Sequence, residues 1–431
     1  MSAIPEILEV ETSHQVGSLA SVLTTFCQAG FSVDDVRAKS RNPMTTCWEL
    51  TVTAKSEVTL AEVAARVEKL PIAHVVGLSN RILKRHRGGK IVMRSTEEIT
   101  SLEVLRDVYT PGVAQVCRAI QQNPEAAREY TYISNTVAVI TNGTAILGLG
   151  DIGPVAGMPV MEGKAALFQQ LAGINGIPIL MKCKDVATVV ATIEAIAPSF
   201  GAIQLEDFAA PECFDIEIEL KKRLNIPVMH DDQHGTAVVV LAALLSATKR
   251  YDIDLHHSVI GQIGLGAAGI GICSLLIDYG VKHVLGTDLS EMALQRLESL
   301  GGRRSTLQGV MAEADIVIAT TGAKGLIKPE MVRKGQIILA LSNPEPEIEP
   351  QLALARGAWC ALDGKVANNV LGFPGIFRGA LDARATHISR EMLLAAAYAL
   401  SEMGGRDELL PDCLDRTVHA RVADAVHAVA R

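Results

Sequence analysis

Ser258-Val259-Ile260-Gly261-Gln262-Ile263-Gly264-Leu265-Gly266-Ala267-Ala268-Gly269 is the stretch on which the fold turns. The apolar run ending at Ile263 reads as a buried strand. Gly264-Leu265-Gly266-Ala267-Ala268-Gly269 then fits G-x-G-x-x-G and opens a helix that runs to about Gly280. Glycines at these positions let the backbone approach a pyrophosphate, whose charge a helix N-terminus stabilises. A second strand, Val284-Leu285-Gly286-Thr287, ends at Asp288, about twenty residues on, where a carboxylate accepts hydrogen bonds from the ribose of an adenine nucleotide. Strand, glycine turn, helix, strand and acid in that order point to a Rossmann-type, doubly wound dinucleotide-binding domain. An acid at Asp288 tilts the cofactor toward NAD and leaves NADP open. Further strands are expected at Ile316–Ala319 and Ile337–Ala340, and an alanine-rich helical tail from Ser389.

Upstream of this region the pattern is again α/β. Buried-strand runs recur at Ala138–Thr141, Ile177–Leu180, Ala202–Leu205 and Ile226–Met229, separated by helical stretches, which implies a parallel sheet covered on both faces. Asn142-Gly143 is a strong turn signal and predicts a hairpin between Ala138–Thr141 and Ala145–Gly148. Polar clusters follow three predicted strands: Gln204-Leu205-Glu206-Asp207, His230-Asp231-Asp232-Gln233-His234, and Gly148-Leu149-Gly150-Asp151 with Gly163-Lys164 beyond it. Strand ends are where such sheets bind ligands. Carboxylates from neighbouring ends can converge on one hard cation, and oxygen-only ligation suits Mg²⁺ or Mn²⁺. His230 and His234, four residues apart, invite a zinc site, but no cysteine or H-E-x-x-H pattern supports one, and structural histidines are the better expectation.

Residues 1–84 read as a separate βαββαβ ferredoxin-like unit: strands at Ile7–Val10, Phe31–Ser40, Thr46–Ala54 and Val75–Leu78, with helices over Gly17–Ala29 and Leu60–Leu70. The basic, glycine-containing segment 85–96 is expected to be a linker.

Composition bounds what the chain can be. Its 431 residues call for two or three domains, and 48% hydrophobic against 20% charged residues leaves no sign of disorder. A net charge of -8 with one short basic run, Lys84 to Lys90, argues against a nucleic-acid partner. The longest apolar run, around Ala237–Leu245, is far short of the roughly 20 residues that span a bilayer. No export signal is evident and the eight cysteines are scattered, so a cytoplasmic protein with reduced thiols and no membrane partner is expected.

Several motifs taken in order resemble the bacterial malic enzymes: Tyr109-Thr110-Pro111-Gly112-Val113-Ala114, Gly148-Leu149-Gly150-Asp151-Ile152-Gly153, Pro159-Val160-Met161-Glu162-Gly163-Lys164, Leu205-Glu206-Asp207-Phe208, His230 to Thr236, Leu341-Ser342-Asn343-Pro344, and Asn368 to Gly375. The resemblance covers about four-fifths of the chain, from Gly88 onward. It implies oxidation and decarboxylation of malate to pyruvate with NAD(P), in a homodimer or larger homo-oligomer. It divides the chain into an α/β substrate and metal domain over 97–249, a Rossmann domain over 250–388 and C-terminal helices over 389–431. Glu206, Asp207 and Asp232 would hold the cation. Lys164 would take the C2 hydroxyl proton with Asp231 as its partner, and Tyr109 would protonate the enolate. Asn343 and Asn369 would bind substrate. Gly264, Gly266, Ala267, Ala268, Gly269, Asp288, Thr320, Gly322 and Asn343 would line the cofactor. Ala145 stands where the larger eukaryotic-type enzymes carry a carboxylate-gripping arginine, so the partner of the distal carboxylate is unassigned. The first 84 residues resemble an ACT domain, with an effector site and a dimerisation element as the open alternatives. A malolactic-type enzyme, releasing lactate, and a catalytically silent effector-binding regulator are the competing functions.

Overall fold

Four strands open the chain in this computed structural model: β1 (Glu6–Ser13), β2 (Phe31–Arg41), β3 (Thr45–Ala54) and β4 (Ala73–Asn80). The structure describes residues 5–55, 58–146, 148–405 and 408–430, the side chains of 79–81 excepted. The chain forms two units, Met1–Val92 and Met93–Arg431.

The first unit is an antiparallel sheet in the order β2-β3-β1-β4. Period-two alternation puts Leu8 and Val10 of β1 and Leu50 and Val52 of β3 on one face. Helices Ser18–Gln28 and Leu60–Val67 cover that face with Val22, Phe26, Val63 and Val67. The second helix starts at a capping box in which the Thr59 side chain and Glu62 satisfy each other's backbone N–H groups. The order βαββαβ is as expected, but the basic run expected as linker begins inside a further helix, Arg81–His86.

The second unit holds two parallel sheets. β5 (Thr136–Thr141), β6 (Asn175–Leu180), β7 (Ala202–Leu205) and β8 (Val228–His230) pair in the order β6-β5-β7-β8. β9 (Val259–Ile263), β10 (His283–Thr287), β11 (Arg303–Arg304), β12 (Ile316–Ala319), β13 (Ile337–Ala340) and β14 (Cys360–Asp363) form the other, ordered β11-β10-β9-β12-β13-β14. This is the doubly wound dinucleotide-binding arrangement, whose switch point lies between β9 and β12.

One helix joins the two sheets. Asp231–Tyr251 leaves β8 and buries Val238, Val239, Val240, Leu241 and Leu244. Each such side chain contributes roughly 1.5–3 kcal/mol by leaving water. It packs on Ala267–Tyr279, the helix opened by the glycine motif. At Gly271 a Cβ would come within 2.6 Å of the Gln233 carbonyl oxygen, so only glycine permits this approach. A single core consequently runs from Val137 and Leu205 through this helix to Ile260 and Leu339.

The expected hairpin at Asn142-Gly143 is not formed. β5 already has parallel neighbours on both sides, β6 and β7, and has no free edge for an antiparallel partner. Residues 142–146 and 148–153 lie in loops instead, with one isolated bridge between Ile146 and Gly150, and Leu147 of the expected hairpin lies outside the described residues. Among the described residues the cysteines are free, and no helix is long and apolar enough to cross a membrane.

Candidate active site

β7 and β8 end side by side, and their parallel register sets their acids together. Leu205 pairs with His230, so Glu206-Asp207 and Asp231-Asp232 emerge from the same edge. Asp207 turns back through a left-handed backbone (φ 55°), a conformation that costs about 1–3 kcal/mol for a residue with a side chain. Its N–H donates to Asp232 Oδ2 at 2.9 Å, and its carbonyl accepts from Ala145 at 3.1 Å. The result brings carboxylate oxygens of Glu206, Asp207 and Asp232 within 4.8 Å of one another. Three hard oxygen donors at that spacing match the preferences of Mg²⁺ or Mn²⁺.

Lys164 reaches this cluster from the helix Pro154–Ala172. Its ammonium donates to Asp231 and lies 3.0 Å from Glu206 Oε1 and 3.3 Å from Asn369 Oδ1. It also stands 4.6 Å above the centre of the Phe373 ring. Lys164, Glu206 and Asp231 are all buried. Burial alone would favour the neutral amine, but Asp231, Glu206 and Asp232 outweigh it and hold the ammonium above the ordinary lysine range. Burial pushes the Asp231 carboxyl up to about 7 against the pull of Lys164, and raises those of Glu206 and Asp232.

A layer of groups, of which the sequence reading gave Gln204 and Glu217 no role, supports these acids. Gln204 Nε2 donates to Glu206 Oε2 at 2.6 Å. Glu217, buried on the helix Glu212–Arg223, accepts from the His230 N–H at 3.0 Å, from His234 Nε2 at 2.9 Å and from Lys221 at 2.9 Å. Burial works against its charge, but His234 and Lys221 keep its carboxyl well below the usual range. His234 is thereby committed to Glu217. His230 is fully buried and burial lowers it to about 4. His234 thus fills the structural role expected of both histidines, and Glu217 was legible as an acid in helical phase with buried Cys213 and Leu220.

At the second sheet Gly264 takes φ 87°, which closes the turn after β9. A Cβ on Gly266 would meet nothing within 4 Å, leaving backbone open to a ligand, and Ala267, Ala268 and Gly269 begin the helix. Asp288 accepts from the Leu265 N–H at 2.6 Å and the Ser290 N–H at 2.8 Å. It borders a cavity of about 230 Å³ whose opposite wall comes from the first sheet's side, at Pro211 and Phe214. Arg296 lies across that cavity's edge, 4.1 Å above the Phe214 ring. Gln262, buried in β9, donates to the Gly264 carbonyl at 3.0 Å and Thr320 Oγ1 at 2.9 Å, tying the glycine turn to the end of β12.

Not every expected residue joins the cluster. Asn369 does, through Lys164. Asn343 is exposed at the end of β13, where its amide donates to the Gly364 carbonyl at 3.3 Å. Asp151 pairs with Lys184 at the surface rather than with the other acids. Tyr109 caps the helix Leu102–Val108 and is 66% exposed, and among the described residues no hydrogen bond or ion pair joins it to the cluster.

A dinucleotide sheet joined to a second sheet that carries an amine among convergent acids defines an α/β oxidoreductase of the nicotinamide-dependent class. Comparison with known proteins narrows it. Residues 89–221 match the family model described as malic enzyme, N-terminal domain, and residues 233–301 and 360–430 match malic enzyme, NAD binding domain. The NAD-dependent malic enzyme 1 of Bacillus subtilis (strain 168) is 53% identical over 427 residues, 98% of this chain and 97% of that protein. The bifunctional malic/malolactic enzyme of the same organism is 42% identical over 78% of this chain and 89% of its own length. Among solved structures, the malic enzyme from Pyrococcus horikoshii superimposes with a TM-score of 0.77 at 38% identity, over 81% of this chain and 91% of that one. The chain belongs to the malic enzyme family, whose members oxidise and decarboxylate malate with NAD(P).

Proposed function

We propose that this enzyme converts malate to pyruvate and CO2 with NAD as hydride acceptor, and that Glu206, Asp207 and Asp232 hold Mg²⁺ or Mn²⁺. The observation that carries the metal assignment is the convergence of three carboxylates beside a buried lysine. When bound, the cation supplies Lewis acidity toward the substrate's C2 oxygen and the nucleotide supplies the hydride acceptor. Lys164 takes the C2 hydroxyl proton. Its ammonium is held charged first by Asp231 and then by Glu206 and Asp232, two of the acids assigned to the cation, so positive charge added there would lower its pKa and favour its acting as a base. Asp231 orients that amine, and Asn369 holds it from the other side. Asp288 binds the adenosine ribose, and Gly264 to Gly269 pass close to the pyrophosphate. Thr320, Gly322 and Asn343, beyond β12 and β13, border the nicotinamide, and Asn343 with Asn369 contacts substrate. Tyr109, exposed at its helix end, is assigned the protonation of C3 on the family resemblance.

The N-terminal unit we assign as an ACT-type module that binds a small effector or pairs subunits, supported by its βαββαβ topology. Exposed apolar side chains at Leu102, Leu149 and Val155 support a homo-oligomer, which sedimentation would test. A cytoplasmic location fits the expectation from cysteine usage.

A second reading, release of lactate with the cofactor retained, is supported by the bifunctional malic/malolactic relative. Absorbance of reduced nicotinamide with L-malate and Mn²⁺, alongside pyruvate and lactate assays, separates the two. Equal amounts of NADH and pyruvate are expected. Lactate without net NADH overturns the first reading.

A further inference from the structure

A further buried acid lies away from the carboxylate cluster. Glu347, in the loop after β13, is 0% exposed. Among the described residues no lysine, arginine or histidine forms an ion pair with it. Burying a carboxylate without a cation is costly unless its oxygens accept hydrogen bonds, and here they do. Oε1 accepts from the Thr321 N–H at 2.6 Å, the Thr321 hydroxyl at 2.8 Å and the Ser342 hydroxyl at 2.5 Å. Oε2 accepts from the Ser342 N–H at 3.3 Å. The Ser342 hydroxyl in turn accepts from the Gly322 N–H at 2.7 Å.

This side chain takes over where the sheet ladder stops. The last rung between β12 and β13 is the Leu341 N–H to the Ala319 carbonyl, at 2.9 Å. Beyond it the two chains become loops, one carrying Thr320 to Gly322 and the other Ser342 and Asn343. Nothing in the ladder sets the gap between them. Glu347 grips both, Thr321 directly and Gly322 through Ser342.

We propose that Glu347 is a positioning residue for hydride transfer, fixing the separation of the Gly322 and Asn343 loops without touching substrate or cofactor. The proposal rests on assigning Gly322 and Asn343 to the nicotinamide and substrate. A misplacement of about 1 Å in such a site costs on the order of 100-fold in rate, which is why a desolvated acid is worth keeping there.

The test is Glu347→Gln. The amide offers one acceptor oxygen, so its NH2 faces the Ser342 N–H, donor against donor, and the Ser342 side of the gap opens. We expect kcat to fall roughly 10- to 100-fold while the dissociation constant for NAD, set by the adenosine half, moves less than about threefold. The deuterium isotope effect with malate labelled at C2 should increase, because hydride transfer becomes the slow step. Ser342→Ala, which removes the hydroxyl between Glu347 and Gly322 but leaves the contacts to Thr321 and the Ser342 N–H, should shift both quantities in the same direction by less, and it carries the test if the Gln variant does not fold. A merely structural role would lower the amount of active enzyme and leave the isotope effect unchanged. That result, in either variant, overturns the proposal. Asn343→Ala separates the two levels of the argument. Normal Glu347→Gln beside impaired Asn343→Ala removes the proposal alone; normal Asn343→Ala removes the site assignment and the proposal with it.

Discussion

Replacing Lys164 with methionine keeps most of the side chain's stem and removes its charge. The ammonium donates to Asp231 and lies 3.0 Å from Glu206, both buried. Were their charges left stranded, the loss would be about 3–5 kcal/mol. Asp231 offers an escape, because its carboxyl already sits at about 7 with the ammonium in place. Above pH 7 the variant therefore has to hold a proton that the parent releases, a cost of about 1 kcal/mol or less near pH 7.5 that grows with pH. Losing the contact over Phe373 and the hydrogen bond to Asn369 adds about 1 kcal/mol each. The expected destabilisation is thus about 2–3 kcal/mol, and it depends on pH. A carboxyl protonated in the folded state and ionised in the unfolded one loses stability as pH rises, by about 1.4 kcal/mol per unit. In the parent that slope ends near pH 7, where Asp231 ionises; in the variant it continues. The gap between the two should widen above pH 7 and level off below it at the part that does not depend on pH, about 2 kcal/mol. Urea unfolding of both proteins with a chelator, at about pH 6.5, 7.5 and 8.5, reads this directly. Malate oxidation in the same variant should drop by about 10²–10⁴ as a general base is lost, while NAD binding persists. A gap of about 5 kcal/mol that ignores pH, or oxidation within tenfold of the parent, would refute the reasoning.

Asp232→Asn removes one proposed ligand and weakens the acceptor that holds Asp207, so Mn²⁺ affinity measured by calorimetry should fall at least about tenfold; an unchanged isotherm would count against the cluster as the metal site. Asp288→Ala should weaken NAD by about 1.5–3 kcal/mol, the worth of hydrogen bonds to a charged group, and NADP by less; equal losses in fluorescence titration would defeat its ribose role. Tyr109→Phe should slow protonation of enolpyruvate more than hydride transfer, and an unaltered tautomerisation rate would dismiss Tyr109 as the acid. His230, lowered to about 4 from an ordinary value near 6.5, contributes stability that is present above 6.5 and lost as pH falls toward 4, by up to about 1.4 kcal/mol per unit. His230→Asn should flatten that part of the acid-unfolding profile, and an identical slope would contradict it.

The Rossmann half was the most legible because local chemistry dictates it: a glycine turn needs φ 87° at Gly264, and a buried parallel strand needs an unbroken apolar run such as Ile316–Ala319. The two acid pairs were legible for a similar reason, since parallel strands end on one edge. What stayed hidden depended on contacts far apart in sequence. Asn142-Gly143 carries a good hairpin signal, yet whether β5 has a free edge is decided by β6 and β7. β11 and β14 are short and mostly polar or half-buried, so no pattern marks them. Gln204, Gln262, Glu217 and Glu347 act through partners that spacing alone does not reveal. Each nevertheless leaves a trace, a polar residue where its element is otherwise buried. The exposed position of Tyr109 and the surface pairing of Asp151 with Lys184 have no such trace.

The helix Asp231–Tyr251 has a consequence for how this enzyme can be taken apart. Its first turn presents Asp231 and Asp232 to the cluster, and its body is clamped against the helix opened by the glycine motif. Inserting one residue near its start would swing the acids by about 100° around the axis and shift them about 1.5 Å along it. The two sheets are therefore not interchangeable cassettes. A chimaera joined within this helix inherits a carboxylate edge out of phase with the edge that carries the glycine turn, whereas a junction in the loop between Tyr251 and β9 leaves the helix whole but strands its apolar face. Recombination in this half of the chain has to move both sheets together.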